Sequence, residues 1–119
     1  MNEITERLTN QPDGDDGSLA FLNIPPDESR QYFNVSETTQ SALVNTSFWV
    51  IGFFKDVPTK NGPKDLVKIK RNLEDSESEA RKFFTGSKDI KYTLRKIEEM
   101  NKFPRRVTLR GSGMKYWLE

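Results

Sequence analysis

Residues 48–57 read FWVIGFFKDV, an aromatic and β-branched run that is typical of a long β-strand. Apolar side chains fill both alternating sets of this run, so one set enters a core and the other is exposed or covered by another surface. The two sets are Phe48, Val50 and Phe54 on one side and Trp49, Ile51 and Phe53 on the other. For the outward set, cover by residues 19–35 or by a second subunit is favoured over base stacking by Trp49 or Phe53, because buried rings are ordinary core and interface material.

Turn signals divide the rest of this region into short strands. Gly52 lies inside the first run, where a glycine indicates a bulge or a sharp bend. Asn61 and Gly62 predict a hairpin loop directly after it. The later predicted strands are 65–72 (DLVKIKRN), 81–86 (RKFFTG) and two within 105–119 that flank Gly111-Ser112-Gly113.

One helix is predicted between the third and fourth strands. Ser87 can cap its first turn, and Asn101 is the expected stop. Its apolar stripe consists of Ile90, Leu94, Ile97 and Met100. The helix cations are expected to form a solvated surface, with pairing four residues apart such as Arg95 with Glu99.

Charge divides the chain into two unequal parts. The whole chain has 19 basic and 18 acidic side chains, but residues 1–44 have a net charge of −6 and residues 45–119 have one of +7. Such asymmetry indicates a polyanion-binding body with an acidic tail, although basic surfaces are also often merely solvated. We therefore expect an acidic N-terminal arm at 1–44, with a docking segment at 19–35, and one folded domain at 45–119.

Composition narrows the chemistry that this domain can perform. The sequence contains no cysteine and no histidine, which removes thiolate nucleophiles, the commonest general base and the commonest metal ligand. We therefore expect a protein that is not an enzyme and has no cofactor or metal. No secretory signal or membrane-spanning run is visible, so the expected location is the cytoplasm, or the host cytoplasm if the source is a virus.

Three segments carry a resemblance to a known family. They are FWVIGFFKDVPTKNGPKDLVKI at 48–69, KFFTGSKDIKYTLRKIEE at 82–99 and FPRRVTLRGSGMKYWLE at 103–119. In pattern, the body resembles OB-fold single-stranded DNA-binding proteins of the small phage and Firmicute type. The element order, three strands, a helix and two strands, is that of a five-stranded OB barrel. The expected fold is thus mainly β, an OB-like barrel with an extended acidic arm.

Single-strand binding requires cations for phosphates and flat rings for bases. Strand alternation places the cations of the second, fourth and fifth strands opposite the apolar core positions, and the resemblance implies a ligand on the outer barrel face and its loops. The candidate nucleic-acid-binding residues are Lys60, Lys64, Lys68, Lys70, Phe84, Arg106, Arg110, Lys115 and Trp117. The acidic loop at 73–80 (LEDSESEA) would repel phosphate if it borders this face.

The leading hypothesis is sequence-tolerant binding of single-stranded DNA in replication or recombination, with the acidic arm occupying the groove when DNA is absent. Replication or recombination proteins are further expected partners, a membrane is not, and the apolar first strand leaves self-association open. The alternative is a phage-type protein-binding adaptor, or an inhibitor of a host nucleic-acid enzyme, in which the arm mimics DNA. One open face made by Lys68, Lys70, Arg106, Arg110 and Trp117 would favour the first hypothesis.

Overall fold

The structure is a computed structural model, and it describes residues 32–119. Residues 1–31 lie outside the described part. The expectations for the acidic arm at 1–18, and for most of the docking segment at 19–35, therefore fall there. No helix in the described part is long and apolar enough to cross a membrane.

The described chain forms six strands and one α-helix, so the expectation of a mainly β fold is confirmed. The element bounds are β1 Ser36–Glu37, β2 Thr46–Val57, β3 Lys64–Lys70, β4 Arg81–Thr85, α1 Lys88–Glu99, β5 Arg105–Ser112 and β6 Lys115–Leu118. Short 3₁₀ turns occupy Ser41–Leu43 and Glu77–Glu79. Gly62, with a φ of 97°, lies in the loop between β2 and β3, where Asn61-Gly62 predicted a hairpin.

All six strands belong to one sheet, in the order β1-β4-β3-β2-β5-β6. Every pairing is antiparallel except that of β1 with β4. The expectation of five strands closed into a barrel is therefore corrected, because β1 adds a sixth strand and the ladder of described strands is open between its two ends. The extra strand comes from residues 36–37, whose polar composition does not predict a strand.

The chain between β1 and β2 connects the two ends of this open sheet. At the β4 end, the Thr85 hydroxyl donates to Gln40 Oε1 over 2.7 Å. Towards the other end, the Asn45 amide donates over 2.7 Å to the carbonyl of Leu109 in β5, the strand next to the edge strand β6. A Cβ at Gly111 would come within 3.1 Å of Val44 Cγ2, so a larger residue here would require the Val44 side chain to shift. A loop segment thus fills the space where a closed barrel would have a strand pair.

A bulge in β2 changes which of its rings face the core. Val50 pairs with Ile69 but Gly52 pairs with Lys68, so Ile51 is the extra residue. Phe48 and Val50 are buried before the bulge, and Phe53 packs against the core after it. The two expected sets are therefore wrong beyond residue 51, because an inserted residue reverses the alternation of a strand.

Helix α1 packs its apolar side on the concave side of the sheet. The Ser87 hydroxyl caps the helix by accepting a hydrogen bond from the Ile90 amide over 3.2 Å, as expected. Ile90 and Leu94 are fully buried in the core. The expected stripe ends early, because Met100 follows the last helical residue and is 68 % exposed.

An ion pair joins α1 to the sheet. Arg95 NH1 lies 2.6 Å from Asp65 Oδ2, and Arg95 NH2 lies 3.2 Å from Asp65 Oδ1. Asp65 is completely buried, and the hydrogen bond to it raises the pKa of Arg95. The expected pairing of Arg95 with Glu99 is therefore wrong: the guanidinium reaches across to β3 and neutralises a buried carboxylate.

Candidate nucleic-acid interface

The side of the sheet opposite the core, called the outer face below, carries a row of three charged and aromatic residues on adjacent strands. Trp49 of β2 pairs with Lys70 of β3 on one side and with Arg106 of β5 on the other. Directly paired residues point to the same face, and the neighbouring Phe48, Val50 and Ile69 are in the core. The Trp49 row (Lys70, Trp49 and Arg106) thus places an indole ring between two cations.

A second row lies on the same face, on β5 and the edge strand β6. Arg110 of β5 pairs with Trp117 of β6, and Lys115 is two residues from Trp117 on the same side of its strand. Ser47 and Thr108 separate the two rows and bond to each other through their hydroxyls, 2.7 Å apart. The Trp117 row (Arg110, Trp117 and the adjacent Lys115) therefore continues the pattern of rings and cations.

A carboxylate fixes the geometry of the Trp117 row. Arg110 Nε donates to Glu119 Oε1 over 3.1 Å, and Trp117 Nε1 donates to Glu119 Oε2 over 3.3 Å. These hydrogen bonds, from Arg110 first and Trp117 second, lower the pKa of Glu119. Arg110 also donates from NH1 to Asn45 Oδ1 over 3.0 Å. The guanidinium is thus oriented, and an anionic group already lies against it.

The acidic loop borders the other end of the outer face. Glu77 forms a close ion pair with Lys68, and its Oε1 lies 3.9 Å from Lys70 Nζ. The hydrogen bond from Lys68 is the main cause that lowers the pKa of Glu77, and the charges of both lysines add to it. A phosphate that binds Lys68 or Lys70 would therefore have to displace this carboxylate.

Beyond these lysines the outer face becomes apolar and is partly covered. Phe54 lies with its ring centroid 4.9 Å from those of both Tyr32 and Phe33, and Leu66, in register with it, is fully buried. The Phe33 carbonyl accepts a hydrogen bond from the ammonium of Lys82, which is itself buried. The described residues that precede β1 thus dock on this patch.

The outer face brings together six of the nine candidate residues, Lys68, Lys70, Arg106, Arg110, Lys115 and Trp117. Lys60 lies exposed in the β2–β3 loop, and the Lys64 side chain lies beside Gly86 at the end of β4. Phe84 is on the outer face but pairs with Leu66 in the covered apolar patch, whereas Phe83 is fully buried in the core.

Trp49 is the residue that was missing from the candidate set. The only sequence signal for it was its alternation with Phe48 and Val50, and that signal could not say which set faces inward. Its position between Lys70 and Arg106 depends on strand pairings that join residues 21 and 57 positions apart. No local pattern predicts those pairings, so the ring could not be assigned to the cations from sequence.

A cleft of about 720 Å³ opens where the start of β2, the end of β3 and the start of β4 meet the loop before β2. Leu43, Phe48 and Ile69 contribute its apolar lining, while Arg71 and Arg81 lie with Asp75 and Glu79 among its polar lining residues. Within residues 32–119, no group of three or more acidic side chains is placed to hold a metal ion. Its charged lining residues balance, two of each sign, so the cleft has no preference for an anion that would compete with the outer face.

The comparisons with known proteins identify a family without an assigned function. No curated protein and no solved structure matches the chain. One family model, described as a domain of unknown function, DUF8468, matches residues 34–119, which begin two residues before β1 and include every described strand and the helix. Because this match spans well over half of the sequence, the chain belongs to the DUF8468 family.

Proposed function

We propose that this protein binds single-stranded DNA, with little dependence on sequence, on the outer face formed by β2, β3, β5 and β6. The observation that carries the proposal is the Trp49 row, in which an indole lies between Lys70 and Arg106 on three adjacent strands. Neighbouring strands are about 4.8 Å apart, so a base stacked on Trp49 would have a cation within reach on either side.

The chemistry of the contacts favours tolerance of sequence. Ring faces stack on any base, and ammonium and guanidinium groups bind phosphates without reading base edges. The described face offers two indoles, Trp49 and Trp117, and both are partly exposed. Its polar centre, the Ser47 and Thr108 pair, has already satisfied its hydroxyls internally. These features support binding through stacking and charge.

The fold supports the same proposal. We assign the described part to an OB-like fold of the kind found in small phage and Firmicute single-stranded DNA-binding proteins. The sheet from β2 to β6 with α1 after the third of these strands has the expected element order. The open edge between β4 and β6, filled by residues 38–45, is its departure from a closed barrel, although OB barrels are themselves partly open.

The resident carboxylates would act as competitors for the phosphates. Glu77 and Glu119 occupy the lysines and the arginine to which phosphates would bind, and both have lowered pKa values. Both carboxylates therefore remain ionised at neutral pH, and exchange of each for a phosphate keeps every cation paired. We infer that in the DNA-free protein these carboxylates pair with the cations of the outer face. Binding of DNA would then replace the carboxylates by phosphates.

The first prediction is a steep dependence of oligothymidine binding on salt. Five cations on the face, Lys68, Lys70, Arg106, Arg110 and Lys115, would bind phosphates and release counterions. This predicts a slope of log K against log salt of roughly −3.5, at about 0.7 per phosphate neutralised. Fluorescence anisotropy over a series of salt concentrations, with duplex DNA and single-stranded RNA as competitors, measures it. An absence of binding, or an affinity that does not change with salt concentration, would contradict the proposal and favour the protein-binding alternative.

The second prediction concerns the arm, which we propose competes with DNA for the same face. Residues 1–18 have a net charge of −4. The described chain begins on the outer face, where Tyr32 packs on Phe54 and the Phe33 ring lies beside Lys68. Deletion of residues 1–18 should tighten oligothymidine binding by about three- to tenfold at low salt, with the gain vanishing at high salt.

The matched control for the deletion keeps the length of the arm. Replacement of Asp13, Asp15 and Asp16 by asparagine should reproduce much of the gain if the arm acts through its charge. An unchanged affinity in both variants would remove the arm from the proposal and leave binding by the folded domain intact.

A further inference from the structure

The β5–β6 hairpin extends past the sheet. β5 pairs with β2 only over Arg105–Leu109, whereas its pairing with β6 continues to Ser112 and Lys115. Three residues of each strand therefore form a two-stranded ribbon, about 10 Å long, beyond the start of β2. Val44 and Asn45 contact its base at Gly111 and Arg110, which supports the ribbon where it leaves the sheet.

The tip of this ribbon is an exposed methionine. Ser112 and Lys115 pair directly, so Gly113 and Met114 form a two-residue loop. Gly113 has a φ of 60°, as the first central residue of a type II′ hairpin turn requires. The turn places no such demand on Met114, which is 96 % exposed, the most exposed large hydrophobic residue in the described chain. Its side chain contributes nothing visible to folding.

The neighbours of Met114 connect it to the proposed binding face. Lys115 follows it directly. Arg110 and Trp117 form the third cross-strand pair of the ribbon, counted from the tip. A strand held by these residues would run along the ribbon towards its end. An unbranched apolar side chain at that point resembles the wedges that proteins insert between base steps to unstack them.

We propose that Met114 is a wedge that inserts between the bases of a nucleic acid at the junction of single strand and duplex. This inference rests on the proposed function, since it requires the single strand to lie on the outer face. The preferred ligand class is then a single strand with an adjoining duplex, such as a tailed hairpin. Opening of the terminal pair would extend the single strand along the Trp117 row.

The test compares Met114→Ser with the wild-type chain and with Met100→Ser. Met100 is also an exposed methionine, at the end of α1, so its replacement controls for loss of a surface thioether. The ligands are oligothymidine and a DNA hairpin with a single-stranded thymidine tail, carrying 2-aminopurine in the pair next to the tail. The two measurements are affinity and the rise in 2-aminopurine fluorescence that reports unstacking.

The wild-type protein and Met100→Ser should bind the tailed hairpin and raise its fluorescence. Met114→Ser should lose most of that rise and about tenfold in affinity for the hairpin, because serine has no apolar side chain to insert between the bases, while its affinity for oligothymidine should change less than about twofold. Equal opening of the junction by Met114→Ser, or an equal loss for both ligands, would overturn the wedge but leave single-strand binding standing. Failure of the wild-type protein to bind oligothymidine would instead overturn the proposed function.

Discussion

Replacement of Arg95 by alanine is expected to lower the free energy of unfolding by about 3 kcal/mol, the lower end of the range for breaking a buried ion pair. Asp65 has no exposed surface, and Arg95 supplies two of the hydrogen bonds to its carboxylate, at 2.6 and 3.2 Å. The third comes from the Asp56 amide. Without the guanidinium, a buried carboxylate keeps one backbone donor, and urea denaturation measures the loss.

Two further variants make this expectation specific. Lys96→Ala removes an exposed cation of the same helix. The only ion pair of Lys96 among the described residues is with Glu99 at 3.5 Å, so this change should lower the free energy of unfolding by less than about 0.5 kcal/mol. The double change Arg95→Met with Asp65→Asn removes both charges at similar volume and keeps an acceptor for the Asp56 amide, so it should recover much of the stability. A loss with Arg95→Ala no larger than that with Lys96→Ala would show that the pair does not hold α1 on the sheet.

Replacement of Trp49 by alanine is expected to weaken oligothymidine binding by about 1–3 kcal/mol, or roughly five- to 150-fold, the usual cost of losing one stacked base. Trp49 is partly exposed on the outer face and is not part of the core cluster, so the change removes a ring without opening the core. Anisotropy titration at fixed low salt gives the affinity. The salt slope should stay the same, because no cation is lost.

The control for Trp49 is an aromatic residue on another surface. Tyr92 on α1 is 64 % exposed and lies with its ring centroid 5.4 Å from Lys96 Nζ, so it also combines a ring with a cation. Tyr92→Ala should leave the affinity unchanged, and Trp49→Phe should keep much of it. If Tyr92→Ala weakens binding as much as Trp49→Ala does, the outer face is not the binding surface.

Local signals in the sequence were sufficient for the order of the elements from β2 onwards. The run at 48–57, the alternation at 65–72 and the cap at Ser87 each depend on residues close together in the chain, and each corresponds to β2, β3 or α1. The strand at Ser36–Glu37 could not be found in this way. Its pairing with Arg81 and Lys82 supplies backbone hydrogen bonds that its polar composition does not indicate.

The candidate site was predicted in part, for a similar reason. Alternation was enough to place Lys70, Arg106 and Arg110 opposite the core, because a period of two needs only the neighbouring residues. Alternation could not show that Glu77 and Glu119 pair with these cations, since each contact joins positions brought together by a loop or a strand end. It also failed after Ile51, where the bulge reverses the faces of β2.

The sequence alone thus established a mainly β body with one helix and a set of cations on the side away from the core, because hydrophobic periodicity and turn chemistry act over a few residues. The tertiary structure was needed for everything that depends on register. It places Trp49 between Lys70 and Arg106, joins Arg95 to Asp65 and positions Met114 at the end of a projecting ribbon. Register joins residues far apart in the chain, and the packing of the whole sheet selects it.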